Sequence, residues 1–210
     1  MKTMESQLNV FEAIIDMLCI KPVFMIGFAF LIVVLFWLFK KEDKLPKGQI
    51  IIASLLLYYY VCIVLYNVVG IPTISEFIRV TNLGESLFNP NISLIPLVGG
   101  VSLEFILNIF CFIPLGFLCP LVSQSFNKMK NVVVLGFGLS LAIELSQLFT
   151  LYRATDINDL IANTFGALLG FFCYQILKLK VKELPLSSIK VAQCLPILVI
   201  MTAFIMVFMS

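Results

Sequence analysis

Long uncharged runs of apolar residues alternate with short polar segments along most of this chain. A helix needs about 20 mainly apolar residues to cross a lipid bilayer, and the longer runs approach that length. The pattern therefore predicts five clear transmembrane helices and a weaker sixth, which has Gln193 and Pro196 near its start. The six predicted spans are 22–39, 50–71, 105–122, 132–151, 160–177 and 191–209.

Composition supports the same fold class. Of the 210 residues, 61% are hydrophobic and only 12% are charged, whereas about a quarter of the residues of a soluble domain are charged. No stretch of ordinary composition is long enough to build a separate soluble core. We therefore expect an all-α, polytopic membrane helix bundle, formed by residues 1–210 as a single membrane domain.

The segment before the first span has an amphipathic pattern. Phe11, Ile14, Ile15 and Leu18 recur at helical spacing, as expected for a short helix that lies in the membrane interface. An equally good interpretation is that these residues simply extend the first span. Acidic residues in this segment and lysines after the span argue against a cleaved signal peptide.

The lysines predict the orientation of the bundle. Loops 40–49, 123–131 and 178–190 alternate with the other loops, so all three lie on one side, and they carry ten of the 14 basic residues. Cytoplasmic loops of membrane proteins are enriched in Lys and Arg. We therefore expect these three loops to be cytoplasmic. Both termini, the loop 72–104 and the link 152–159 are then outside.

Several polar side chains lie within or beside the predicted spans, where they are costly and often mark function. With the orientation fixed, residues from spans three, four and five converge on one level near the outer end of the bundle. Ligand binding at this level is one interpretation. The predicted cluster comprises Glu104, Asn108, Glu144, Gln147, Arg153, Asp156, Asp159 and Asn163.

A simpler interpretation covers part of this cluster. Asp156 or Asp159 can cap the fifth span and complement its positive N-terminal end, and Arg153 can anchor the link at the interface. Glu144 lies too far inside the predicted fourth span for capping, so it needs a partner or a proton. Arg153, nine residues later, is the nearest candidate cation in the sequence.

Small residues recur at every fourth position on spans four and five. Because small side chains let helices approach closely in lipid, this spacing predicts that the two spans pack as a tight hairpin. The residues concerned are Gly138, Ala142 and Ser146 on span four, and Ala162, Gly166 and Gly170 on span five.

One signature is an Asn-x-x-x-Phe-x-Pro-x-Gly-Phe segment that begins at Asn108. A second signature comprises Glu144, Gln147, Arg153, Asp156, Asp159, Asn163 and Gly166. Together they resemble the signatures of VanZ-like membrane proteins, over roughly residues 88–171. Ser93 departs from the family, which usually has asparagine before Leu-Ile-Pro.

The resemblance implies a location more than a reaction. The family is named for an accessory protein of glycopeptide-antibiotic resistance, associated with teicoplanin. Membership would place the chain in a bacterial cytoplasmic membrane and would link it to antibiotic tolerance. The resemblance names no catalysed step, and many members are uncharacterised envelope proteins.

Three functions are compatible with the outer polar cluster. It could bind a membrane lipid, a lipid-linked cell-wall precursor or a lipoglycopeptide drug, with Arg153 meeting a phosphate or carboxylate. It could act as a hydrolase or transferase on a lipid-linked substrate, with Glu144, Asp156 and Asp159 as acid–base groups. It could also be structural, with function residing in protein partners.

The enzyme interpretation is the weaker one. The chain has no histidine, and its six cysteines show no metal-ligand spacing. No activated nucleophile is recognisable. We therefore lean against catalysis and expect no cofactor, no bound metal and no nucleic-acid partner. The sequence leaves the oligomeric state open.

Overall fold

The computed structural model describes residues 21–88, 90–97, 100–151, 153–178, 185 and 187–210. The predicted interfacial helix lies outside these residues. The elements, in chain order, are helices α1 (Pro22–Lys41) and α2 (Lys47–Ile63), a π-helix (Val64–Val69), α3 (Ile74–Asn82), strand β1 (Ile92–Ser93), α4 (Leu103–Val122), a 3₁₀ turn (Gln124–Asn127), α5 (Met129–Gln147), strand β2 (Thr155–Asp156), α6 (Ile157–Leu177), α7 (Lys190–Gln193) and α8 (Leu195–Phe208).

The helices confirm an all-α membrane bundle. Within the described residues, five helical segments are long and apolar enough to cross a membrane, and they correspond to the first five predicted spans. The predicted sixth span is divided into α7 and α8, and α8 has only 14 residues. It still belongs to the bundle, because Val199, Ala203 and Val207 are fully buried in the common core.

The fourth span ends earlier than predicted. Helix α5 stops at Gln147, not at Leu151, because the carbonyl of Gln147 accepts hydrogen bonds from both the backbone and the side chain of Thr150. Those bonds close a tight turn at the C-terminal end of the helix. Glu144 is therefore in the last turn of its helix and not deep inside it.

The closest helix contact is not the predicted one. A side chain at Gly166 would collide with the carbonyl oxygen of Ile109, and one at Gly170 with that of Ile113. Both carbonyls belong to α4, so these glycines seat α6 against span three rather than span four. The prediction of a tight hairpin between spans four and five through these glycines is therefore wrong.

Helix α5 contacts α6 through other small residues. A Cβ atom at Gly136 would come within 2.6 Å of the Cβ of Ala167. In contrast, a Cβ at Gly138 would meet nothing within 4 Å, and Ala142 is exposed. Ser146 donates its hydroxyl hydrogen to the carbonyl of Ile143 in its own helix.

The described residues of the three lysine-rich loops lie at one end of the bundle, as the alternation of loops requires. Gln175 at the end of α6 donates to Asn127 over 3.2 Å, and Ser187 donates to Glu42. At the opposite end, which we call the outer end, Ser75 donates to the carbonyl of Ser210 over 3.0 Å. The loop 72–104 and the link 152–159 lie at this end.

A short parallel strand pair joins these two outer segments. Ile92 pairs with Thr155, and Ser93 pairs with Asp156. The amide of Thr155 also donates to the carbonyl of Asn91 over 2.8 Å. The pair was not predicted, and it fixes the loop before α4 directly beside the N-terminus of α6.

Candidate functional site

Glu144 holds the link between α5 and α6 in place. Its side chain is only 3% exposed, and its Oε2 accepts the backbone N–H of Asp156 at 2.8 Å. Thr155 adds a second bond, from its hydroxyl to the carbonyl of Glu144 at 2.9 Å. Arg153, the nearest candidate cation in the sequence, is not the hydrogen-bond partner of Glu144, because a backbone amide of the returning chain donates to this carboxylate.

Asp156 caps helix α6, as the simpler interpretation predicted. Its Oδ1 accepts the backbone N–H of Asn158 at 2.8 Å. Asn158, which sequence reasoning missed, accepts the amide of Leu97 at 2.8 Å. Leu97 has a φ of +57°, a left-handed conformation that is strained for a branched side chain. The bond to Asn158 helps to hold it.

Asp159 connects α6 to α4. Its Oδ1 accepts a hydrogen bond from the Nδ2 of Asn108 at 2.7 Å, so two residues of the predicted cluster are in direct contact. Glu104 lies one turn before Asn108 and is exposed. It lies within electrostatic reach of Asp159 and forms the rim of the cluster.

Arg153 and Gln147 both bind the end of span two. Arg153 Nη2 donates to the carbonyl of Val68 at 3.3 Å, and Gln147 Nε2 donates to that of Val69 at 3.5 Å. The π-helix leaves these carbonyls without helical partners, since Gly70 ends it in a left-handed conformation with φ of +66°. Sequence reasoning missed this contribution of span two.

Asn163 lies deeper in the bundle than the other members of the cluster. It is 3% exposed, and its Nδ2 donates to the hydroxyl of Ser140 at 3.0 Å, which connects α6 to α5. Among the described residues, the side-chain oxygens of Gln147 and Asn163 are buried without a hydrogen-bond partner. A buried acceptor in that state is costly unless a water or a ligand donates to it.

The electrostatic balance of the cluster is unusual. Glu144, Asp156 and Asp159 are close enough to repel one another, and the charge of Arg153 acts on Asp159. Arg153 is exposed and forms no ion pair with a described residue. Its guanidinium carries five N–H donors, so donors remain for an acidic group from outside. In the described part of the chain, no three acidic or thiol side chains are grouped to hold a metal ion.

An apolar loop flanks the polar cluster. Phe88, Ile92, Leu94 and Ile95 are 54%, 52%, 67% and 69% exposed. The strand pair fixes this loop against the link, only two residues from Arg153. An exposed apolar surface of this kind is typical of a segment that contacts a membrane or an apolar ligand.

The fold and the site together define a multi-spanning membrane bundle with one polar cluster at its outer end. A family model, VanZ/LLP1, matches residues 23–178. The chain therefore belongs to the VanZ/LLP1 family. This match includes the predicted core at 88–171 and extends beyond it to the first two spans. No curated protein and no solved structure shows significant similarity to the chain.

Proposed function

We propose that the outer cluster binds an acidic amphiphile of the cell envelope, and that this binding contributes to tolerance of glycopeptide or lipoglycopeptide antibiotics. The ligand carries a phosphate or carboxylate beside an apolar chain. A membrane lipid, a lipid-linked cell-wall precursor and a lipoglycopeptide drug share that chemistry. The protein then resides in the bacterial cytoplasmic membrane, with loops 40–49, 123–131 and 178–190 in the cytoplasm.

One observation carries the proposal: the strand pair fixes an exposed apolar loop against the link that carries the exposed Arg153. A guanidinium group binds phosphate or carboxylate through paired hydrogen bonds. The exposed side chains of Leu94 and Ile95 supply an apolar surface for the acyl chain. The polar and apolar parts of an amphiphile are therefore matched by adjacent parts of this surface.

The buried acceptors support the same proposal. Gln147 Oε1 and Asn163 Oδ1 need hydrogen-bond donors, and the hydroxyl and amide groups of a sugar–peptide precursor or of a glycopeptide are donors. Glu144 has a positioning role, because its carboxylate orders the link that carries Arg153.

A structural role is the second candidate, and a specific observation favours it. The carboxylates of Glu144, Asp156 and Asp159 each accept a hydrogen bond within the protein, from the Asp156 amide, the Asn158 amide and Asn108, respectively. These bonds connect α4, α5, α6 and the link. A cluster of this kind could lock the helices while protein partners carry the function.

Antibiotic susceptibility with matched arginine variants tests the proposal. Cells that express the wild type, Arg153→Ala or Arg79→Ala at equal protein levels are exposed to teicoplanin. Arg79 is also an outer arginine, but it pairs with Glu76 on α3. We expect Arg153→Ala to remove the protection and Arg79→Ala to retain it. Full protection by Arg153→Ala would overturn the proposal.

Glu144 variants separate binding from structure. Glu144→Ala leaves the Asp156 amide unpaired, so it should lower the free energy of unfolding by about 2 kcal/mol. Glu144→Gln keeps an acceptor oxygen and should lose far less stability. If Glu144→Ala lowers the melting temperature in detergent while protection stays intact, the structural role is correct.

A further inference from the structure

A groove of about 710 Å³ lies between α5 and α8, on the lysine-rich half of the bundle. This volume is within the range of pockets that hold small molecules, about 300–1,000 Å³. Gly138 leaves the floor open, since a Cβ atom there would meet nothing within 4 Å. Apolar walls come from Val134, Leu139 and Ala142 on α5, and from Ile197, Met201 and Phe204 on α8.

The lysine-rich end of the groove is polar and positive. Lys130 contributes to its lining, together with Ser125, Asn131 and Gln193. Lys128 and Lys130 are both exposed, and the segment 123–131 contains no acidic residue. The positive charge at this end of the groove, which we call its mouth, is therefore not neutralised by any acidic residue of the segment 123–131.

Helix α5 begins at this mouth and adds to the positive potential. It starts at Met129, with no side-chain cap at Lys128 and no acidic residue in its first turn. The N-terminal end of a helix carries a partial positive charge, and its first amides have no helical acceptors. The groove thus combines a long apolar channel with a cationic mouth.

We propose that this groove is a binding site for a phospholipid with an anionic headgroup, taken from the leaflet on the lysine-rich side. The acyl chains lie along the apolar walls, and the phosphate lies at Lys130 and the start of α5. Cytoplasmic leaflets are rich in anionic lipids, which attract basic segments near the membrane surface. The site shares no residue with the outer cluster, so it is independent of the function proposed above.

The charges favour a lipid over a second copy of the chain. A dimer related by a two-fold axis buries the same patch from both copies, so it would place two Lys130 side chains near each other at one mouth. Two like charges brought close together repel each other. An anionic headgroup instead neutralises the mouth.

Native mass spectrometry of the purified protein tests the headgroup. The protein in detergent is titrated with phosphatidylglycerol and with diacylglycerol of the same acyl chains. We expect phosphatidylglycerol to bind more tightly. One lysine near a membrane surface contributes about 1 kcal/mol, so Lys130→Gln should weaken phosphatidylglycerol about fivefold. Diacylglycerol should be unaffected. Lys44→Gln, an exposed lysine of the loop 40–49, is the control and should change neither.

Variants that place a larger side chain in the groove test whether the lipid binds there. Gly138→Leu points a side chain into the open space, and it should weaken both lipids by about tenfold or more. Ala142→Leu is a second variant for the same purpose. Gly48→Leu is the matched control, because a Cβ at Gly48 also meets nothing within 4 Å but lies outside the groove. Melting temperatures confirm that each variant is folded.

Three results would overturn the proposal. One is equal binding of the two lipids with no effect of Lys130→Gln, which would remove the headgroup contact. Another is unchanged binding in folded Gly138→Leu and Ala142→Leu, which would place the lipid elsewhere. The third is a dimer that Gly138→Leu dissociates without any change in lipid binding, because a second copy would then occupy the groove.

Discussion

Two pairs of small residues with the same spacing have opposite environments in this bundle. Gly166 and Gly170 on α6 lie directly against backbone carbonyls of α4, whereas Gly138 and Ala142 on α5 face an open groove. The spacing permits close approach but does not require it. The neighbouring helix decides whether a small residue makes a contact or leaves a cavity.

The largest expected effect comes from adding one methyl group to the closed interface. Gly170→Ala places a Cβ on the carbonyl oxygen of Ile113, and a backbone atom cannot rotate away as a side chain can. We expect a loss of about 3 kcal/mol, the upper end of ordinary overpacking costs. Thermal unfolding of the purified protein in detergent measures it.

Gly138→Ala is the matched control for this substitution. It introduces the same methyl group into a membrane helix with nothing within 4 Å of it. Because alanine is favoured over glycine within a helix by about 1 kcal/mol, stability should stay equal or rise. Equal melting temperatures for Gly170→Ala and Gly138→Ala would show that α4 and α6 leave room for a methyl group between Gly170 and the carbonyl of Ile113.

The spans were predictable from sequence, because bilayer thickness sets their length. Which helices pack most closely against one another was not predictable. Apolar runs and lysine counts place the helices and bring Asn108 and Asp159 to one level, where they form a hydrogen bond. The partner of Gly166 could not be inferred, because α5 offers small residues at the same spacing as α6 and is adjacent in sequence. Span three contacts α6 through the carbonyls of Ile109 and Ile113, which leave no signal in the sequence, and through Gly116, where a Cβ would collide with the carbonyl of Ala167.

The error over Glu144 has a physical reason of the same kind. No charged residue or proline lies between Gln147 and Arg153, so the apolar run suggests a longer helix. The helix actually ends where Thr150 binds the carbonyl of Gln147. The partner of Glu144 is a backbone amide, and backbone groups are identical at every position. A strand pair of two residues per strand is equally invisible to periodicity.

A smaller effect is expected at the α5–α6 contact, where the facing group is a side chain. Gly136→Ala brings a Cβ within 2.6 Å of the Cβ of Ala167 and should cost about 1–2 kcal/mol. Adding Ala167→Gly removes the clash. The double variant loses a glycine from α5 and gains one in α6, so the effects on helix propensity cancel. Its stability should therefore return to within about 0.5 kcal/mol of the wild type.

This rescue sharpens the comparison between the two interfaces of α6. Contact with a side chain can be relieved by a compensating change, whereas contact with the carbonyl of Ile113 cannot. Chemical unfolding of the two single variants and the double variant measures the coupling. If the double variant is as unstable as Gly136→Ala alone, the neighbouring backbone sets the spacing of α5 and α6, and the two interfaces are alike.

The smallest effect is expected deeper in the bundle, at the hydrogen bond between Asn163 and Ser140. A double-mutant cycle with Asn163→Ala and Ser140→Ala should give a coupling of about 0.6 kcal/mol, the usual size for polar pairs between membrane helices. A coupling of this size is small for a hydrogen bond made by a buried asparagine. The Oδ1 of Asn163 has no partner among the described residues. Such a coupling would mean that this pair contributes little to holding α5 against α6, a task left to contacts such as Gly136 with Ala167. A coupling above about 2 kcal/mol would instead make the polar bond the main connection between those helices, and it would favour the structural role of the cluster over ligand binding.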